Sequence, residues 1–208
     1  MIALIDIGIS NISSVTNAFA RIGTDVTLTD DPEIVVTADG IILPGVGAFG
    51  DGMNNLKTKG LVEPIRKASL SGTPTLGFCL GMQLMGGSSD EYGDHSGLGL
   101  IPSRMVKLKP SPSEPVPNIG WCDISTTAKS RLFSEELQLA SYYCVHSYHM
   151  ICEEPKDVAA TMIFGGEEVT MAVERGNLFG FQFHPEKSQD AGLDVLKSFV
   201  NIIQGFRA

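Results

Sequence analysis

At 208 residues the chain is long enough to bury one sizeable core, and with 43% hydrophobic and 19% charged residues it has the composition of an ordinary globular protein. A net charge of −9 with no Lys/Arg cluster disfavours nucleic-acid binding, because neutralising phosphates needs a basic face. No apolar run approaches the roughly 20 residues needed to cross a bilayer, and the opening MIALIDIGISN lacks the basic start and cleavage site of a secretory leader.

In chain order, Ile2–Asp6 reads as a short apolar strand. Ser10 and Asn11 then offer cap side chains to a helix carrying Val15, Ala18, Phe19 and Ile22, which Gly23 stops. Val26–Leu28 and Gly40–Leu43 are the next strands, the latter running into the turn Pro44-Gly45-Val46-Gly47. A helix around Leu61–Leu70 leads through Gly72 into strand Thr73–Phe78. Such alternation predicts an α/β fold with a central, mostly parallel sheet flanked by helices. The stretch 109–117 holds four prolines and predicts an exposed loop. Beyond it strands dominate, at Ile119–Ile124, Ser141–Ser147, Val158–Ile163, Val169–Val173 and Leu178–Phe183, before a helix with Leu193, Leu196, Phe199, Val200 and Ile203 on one face. No linker or repeat divides the chain, so residues 1–208 are expected to form one domain.

Gly77-Phe78-Cys79-Leu80-Gly81 has the form of a nucleophile elbow, a strand turning sharply into a helix with the reactive residue at the turn. The helix start behind Cys79 favours the attacking thiolate; the bland alternative is a buried, inert cysteine. Phe181-Gln182-Phe183-His184-Pro185-Glu186 tips the balance. His184 can serve as the base for Cys79, and Glu186, two positions on and on the same side in extended geometry, can orient it. Pro44–Gly47 offers backbone N–H groups to an oxyanion, with the Leu80 N–H as a second donor. His95 is expected in a solvated loop, and His146 and His149 in structural roles. The four cysteines (79, 122, 144, 152) form no CxxC pair, and no His, Cys, Asp or Glu pair has metal-ligand spacing. A reducing cytoplasm is therefore expected, with no disulfide framework, metal or cofactor.

Together, GFCLGMQ at 77–83, FGFQFHPEKS at 179–188 and LPGVGAFGDGM at 43–53 resemble the class I (triad) glutamine amidotransferases, whose core is flavodoxin-like. Asp6-Ile7-Gly8 with Asn11, Pro117-x-x-Gly120-Trp121 and Tyr143-x-Val145-His146-Ser147-Tyr148 are similar to the glutaminase subunits of imidazole glycerol phosphate synthases, of histidine biosynthesis. The resemblance implies a triad of Cys79, His184 and Glu186 that acts on L-glutamine through a glutamyl thioester. It further implies the Val46 and Leu80 amides as oxyanion donors, once the strand at Pro44–Gly47 adopts its active conformation. Gly47, Gln83, Ser147 and Tyr148 would line or hold the substrate. The implied partner is a (β/α)8-barrel cyclase subunit that receives the ammonia, met near Asn11, Trp121, Tyr143 and Lys187.

One segment departs from the family's usual Pro-His-Met/Ile-Gly-Trp-Asn: here it reads Pro117-Asn118-Ile119-Gly120-Trp121-Cys122. The change lies by the expected docking face, outside the triad. It keeps open a paralogous role, supplying ammonia for amidotransfer in bacterial surface-sugar synthesis. A cysteine peptidase and an inactive scaffold subunit are the further alternatives.

Overall fold

The computed structural model describes residues 1–127, 130–134, 137 and 140–206. Its first half alternates as β1 (Ile2–Ile5), α1 (Ile12–Arg21), β2 (Val26–Thr29), α2 (Pro32–Thr37), β3 (Gly40–Leu43), α3 (Phe49–Thr58), α4 (Val62–Leu70), β4 (Thr75–Phe78) and α5 (Leu80–Leu84). The second half contributes β5 (Ser88–Ser89), β6 (His95–Ser96), β7 (Ser103–Lys107), β8 (Asn118–Asp123), β9 (Ser125–Thr126), β10 (Ser141–His146), β11 (Tyr148–Cys152), β12 (Val158–Phe164), β13 (Glu167–Arg175), β14 (Leu178–Phe181) and α6 (Gln189–Phe206).

One eight-stranded sheet runs in the order β2-β1-β3-β4-β14-β13-β12-β9. Its first five members pair in parallel, and β13, β12 and β9 join antiparallel. The inner strands β1, β3, β4 and β14 are buried along their whole length because both of their faces are covered, whereas the edge strand β2 exposes Thr27 and Leu28. Ile2, Leu4, Ile42 and Leu76 pack on one side with Val15, Phe19 and Phe199 of α1 and α6. Ala3, Ile5, Ile41 and Leu43 face the other side, with Val35, Leu56 and Ile65 of α2, α3 and α4. Asn11 starts α1 through its side-chain oxygen, which accepts from Ser14 N at 3.3 Å.

Two helices were not predicted. The six-residue α2 is capped by Asp31, whose side chain accepts from Glu33 N at 2.9 Å. The sequence of α3 contains Gly50 and Gly52, which weaken a helical pattern. Close packing explains them: a Cβ on Gly52 would lie 3.0 Å from the Leu84 side chain, and one on Gly50 would lie 2.6 Å from the His95 ring. His95 thus belongs to β6 and packs against α3, not to a solvated loop.

The run expected as a strand, Ser141–Ser147, is β10, which ends one residue early at His146. β10 pairs with β8, whereas β11 joins β7 in a different sheet, with Ser147 as the bend between them. The strand predicted to Phe183 ends at Phe181. That shorter strand lies beside β4, with Phe181 opposite Phe78, so the ends of β4 and β14 emerge together at the same edge.

Candidate active site

At the end of β4, Cys79 adopts φ +48° and ψ −108°, a conformation that costs a non-glycine residue energy and persists only where its surroundings impose it. Here the Cys79 N–H donates to the Phe181 carbonyl at 2.7 Å. On either side there is no room for side chains. A Cβ on Gly77 would lie 2.5 Å from the Met82 nitrogen, and one on Gly81 would lie 1.6 Å from the Leu43 carbonyl oxygen. The elbow expected from the motif is therefore a product of close backbone approach among β3, β4 and α5.

From β14 the chain bends through Gln182 and Phe183 into a single 3₁₀ turn, Pro185–Lys187. The sequence reading had His184 and Glu186 meeting as same-side residues of an extended strand. The turn brings them together instead, with His184 Nδ1 2.8 Å from Glu186 Oε1. His184 is anchored to β10 through its N–H, which donates to Tyr143 O at 2.9 Å, while Ser188 Oγ donates to His184 O at 2.6 Å. Both side chains are buried, and His184 Nε2 has no hydrogen-bond partner among the described residues. Burial alone would depress the imidazole pKa, but the nearby Cys79 sulfur and the Glu186 carboxylate bonded to Nδ1 outweigh it and lift His184 to about 9. Sulfur, imidazole and carboxylate thus form one chain of interacting groups.

The Cys79 sulfur has a further neighbour that the sequence reading did not single out. Gln182, fully buried, directs Nε2 at Cys79 Sγ from 3.8 Å, and its Oε1 accepts from Gln83 Nε2 at 3.0 Å. Gln83 also donates to Tyr148 O at 3.1 Å, so both of its amide hydrogens are engaged and its Oε1 is left for another partner.

A cavity of about 210 Å³ opens over Cys79 and His184, lined by all four expected substrate residues: Gly47, Gln83, Ser147 and Tyr148. Glu91, Pro117 and His146 line it too. Glu91 Oε2 accepts from the Phe49 N–H at 2.7 Å, at the start of α3, which fixes a carboxylate in the cavity wall. Of the expected oxyanion donors, Leu80 opens α5, where first-turn N–H groups lack intrahelical partners. The Val46 N–H is instead spent on the Ile9 carbonyl at 3.0 Å, and Gly47 sits at φ +108°.

Of the expected interface residues, three stand together. Trp121 meets Tyr143 edge-on at 6.2 Å, and Lys187 Nζ lies 5.7 Å over the Tyr143 ring. Trp121 is half exposed, and its neighbour Ile119 more so. Asn11 uses its side chain as the cap of α1. His146 and His149 are buried, and among the described residues no group of three or more His, Cys, Asp or Glu is placed to hold a metal ion. No helix among them is long and apolar enough to cross a membrane.

The profile of the Glutamine amidotransferase class-I family matches residues 3–202. Imidazole glycerol phosphate synthase subunit HisH of Sulfurimonas denitrificans is 45% identical, covering 96% of this chain and 97% of its own. The subunit of the same name from Moorella thermoacetica is 43% identical, with 98% and 95% covered. Among solved structures, one described as a glutamine amidotransferase superposes with a TM-score of 0.76 at 16% identity, over 97% of this chain and 98% of its own. The structure of PurLQS from Thermotoga maritima gives 0.74 at 19%, with the same coverage.

Proposed function

The chain belongs to the class-I glutamine amidotransferase family, and from that membership and the site geometry we propose that it is the glutaminase subunit of an imidazole glycerol phosphate synthase. It hydrolyses L-glutamine to glutamate and ammonia, and the ammonia passes to a (β/α)8-barrel cyclase subunit in the cytoplasm. The observation that carries the catalytic part is the buried His184, held by Glu186 on Nδ1 and interacting with the Cys79 sulfur at a strained elbow.

The steps follow from what each group can do. His184 takes the proton of the Cys79 thiol, and its raised pKa favours holding that proton on the imidazole. The thiolate attacks the side-chain amide carbon, and the Leu80 N–H at the start of α5 receives the developing oxyanion. Val46 becomes the second donor only when its N–H leaves Ile9 O, a local rearrangement that would switch the site between idle and active. His184 then protonates the amide nitrogen as the C–N bond breaks, releasing ammonia and leaving the glutamyl thioester. In the second half, His184 takes a proton from water, whose oxygen attacks the thioester carbon; glutamate leaves and the thiolate–imidazolium pair is restored. Glu91 suits the substrate's α-ammonium by charge, from its place in the cavity wall.

Trp121, Tyr143 and Lys187, with the exposed Ile119, suit the partner-facing surface. Asn118 and Cys122 depart from the usual family segment and favour one second reading, ammonia supply for surface-sugar amidotransfer. The test is hydrolysis of free glutamine by the chain complexed with its barrel subunit. Release of glutamate and ammonia, stimulated by the histidine-pathway intermediate that the barrel binds, supports the first reading. Hydrolysis indifferent to that intermediate supports the second, and cleavage of peptides with none of glutamine would contradict both.

A further inference from the structure

His146 is the last residue of β10, directly opposite Asn118, the first of β8. It is buried in the wall of the cavity that also holds Cys79 and His184, yet it has no part in the steps above. Its Nδ1 lies 2.9 Å from the Tyr148 carbonyl, which can only accept, so Nδ1 carries a hydrogen. Burial lowers the pKa of this imidazole to about 4, which leaves Nε2 as a bare acceptor. The side-chain nitrogen of Asn118 stands 3.2 Å from that Nε2 and 3.2 Å from the Cys122 sulfur, so its two hydrogens have two acceptors. The Cys122 thiol is 4.0 Å from the Gly120 carbonyl, which leaves the sulfur lone pairs towards Asn118.

Asn118 also lines a second cavity, of about 550 Å³, on the outer side of β8 beside Ile119 and Trp121. It therefore stands between the glutamine cavity and the exposed face of that strand. We propose that Asn118 is a positioning residue for glutamine binding: its amide holds the His146 ring in the Nδ1–H form and ties that wall of the glutamine cavity to β8. The proposal rests on the glutaminase reading. The two residues that depart from the family segment, Asn118 and Cys122, are then the means by which β8 grips the imidazole.

The test is ¹⁵N spectroscopy of histidine-labelled protein in complex with the barrel subunit, with His146 assigned through His146→Gln, alongside glutamine kinetics. Wild type should show His146 protonated on Nδ1 and bare on Nε2 at neutral pH. Asn118→Leu should broaden or shift those resonances and raise KM for glutamine about five- to tenfold, with kcat changed less, as expected for one buried acceptor left unpaired. Asn118→His, which again offers an N–H, should restore both. The proposal is overturned by a wild-type His146 protonated on Nε2, a readout that needs no variant to fold. It is equally overturned by an Asn118→Leu protein whose His146 signals or KM are those of wild type. Absence of glutamine hydrolysis in the wild-type complex would instead count against the glutaminase reading, which keeps the two failures distinct.

Discussion

The carboxylate of Glu186 makes one contact, Oε1 at 2.8 Å from His184 Nδ1, while its Oε2 has no partner among the described residues. Glu186→Gln keeps the shape and removes the charge that orients and supports the imidazolium. We expect kcat for glutamine to fall by about 10²- to 10⁴-fold with KM little changed; equal kcat would show that Glu186 does not orient the base. His184 also makes stability depend on pH. Folding raises its pKa to about 9, so the protonated form is the one stabilised. That contribution is full below the ordinary histidine value of about 6.5 and is lost as pH rises to about 9. The urea midpoint of the wild type should fall across this window, and that of His184→Gln should fall less; parallel curves would contradict the assignment. The grouping of Cys79, His184 and Glu186 was legible in the sequence because each sits in a short motif whose neighbours are constrained by a turn. Gln182 and Glu91 were not, since a glutamine in a strand and a glutamate in a polar stretch acquire meaning only when the fold aims them at Cys79 and its cavity.

The turn that holds Cys79 depends on backbone contact between elements. In Gly81→Ala the new methyl would collide with the Leu43 carbonyl, 1.6 Å away, and no flexible side chain can yield there. We expect destabilisation of roughly 3 kcal/mol or more, read from the urea midpoint, and a loss under 1 kcal/mol would mean that the elbow relaxes. The loop at Pro44–Gly47 makes a different claim. If the Val46 N–H turns from Ile9 O towards an oxyanion, trapping Cys79 with a glutamine-like diazoketone in the complex should shift the Val46 amide resonance. An unmoved resonance would exclude Val46 as a donor. Element boundaries show why periodicity was only partly sufficient. The strands β1 and β3 are buried on both faces and stand out as apolar runs, whereas the glycines of α3 disguise a helix that needs them for packing. The division of the 141–152 stretch at Ser147 has no local signal. It arises because β8 and β7, distant in sequence, claim its two halves.

Across the molecule, the proposed active site depends on β14 entering the sheet beside β4, which brings together residues about a hundred positions apart. The alternation of strands and helices announced a parallel sheet, but not which later strand would extend it. That choice is made by tertiary packing, where Phe181 stacks on Phe78 and Phe183 on Tyr142. On the proposed function, the surface next to the site carries the association with the partner. Trp121, half exposed and braced by Tyr143, has the character of an interface anchor, so Trp121→Ala should weaken binding to the barrel subunit by about 2 kcal/mol in calorimetric titration with the fold intact; unchanged affinity would move the interface elsewhere. Glutamine chemistry at Cys79 and use of ammonia in the partner are separable, and one experiment separates them. In the complex carrying Cys79→Ala, product formation from glutamine should fall by more than about a thousandfold, while product formation from added ammonium salt should continue at the wild-type level. Undiminished glutamine-driven turnover in that variant would contradict the assignment of Cys79 as the nucleophile.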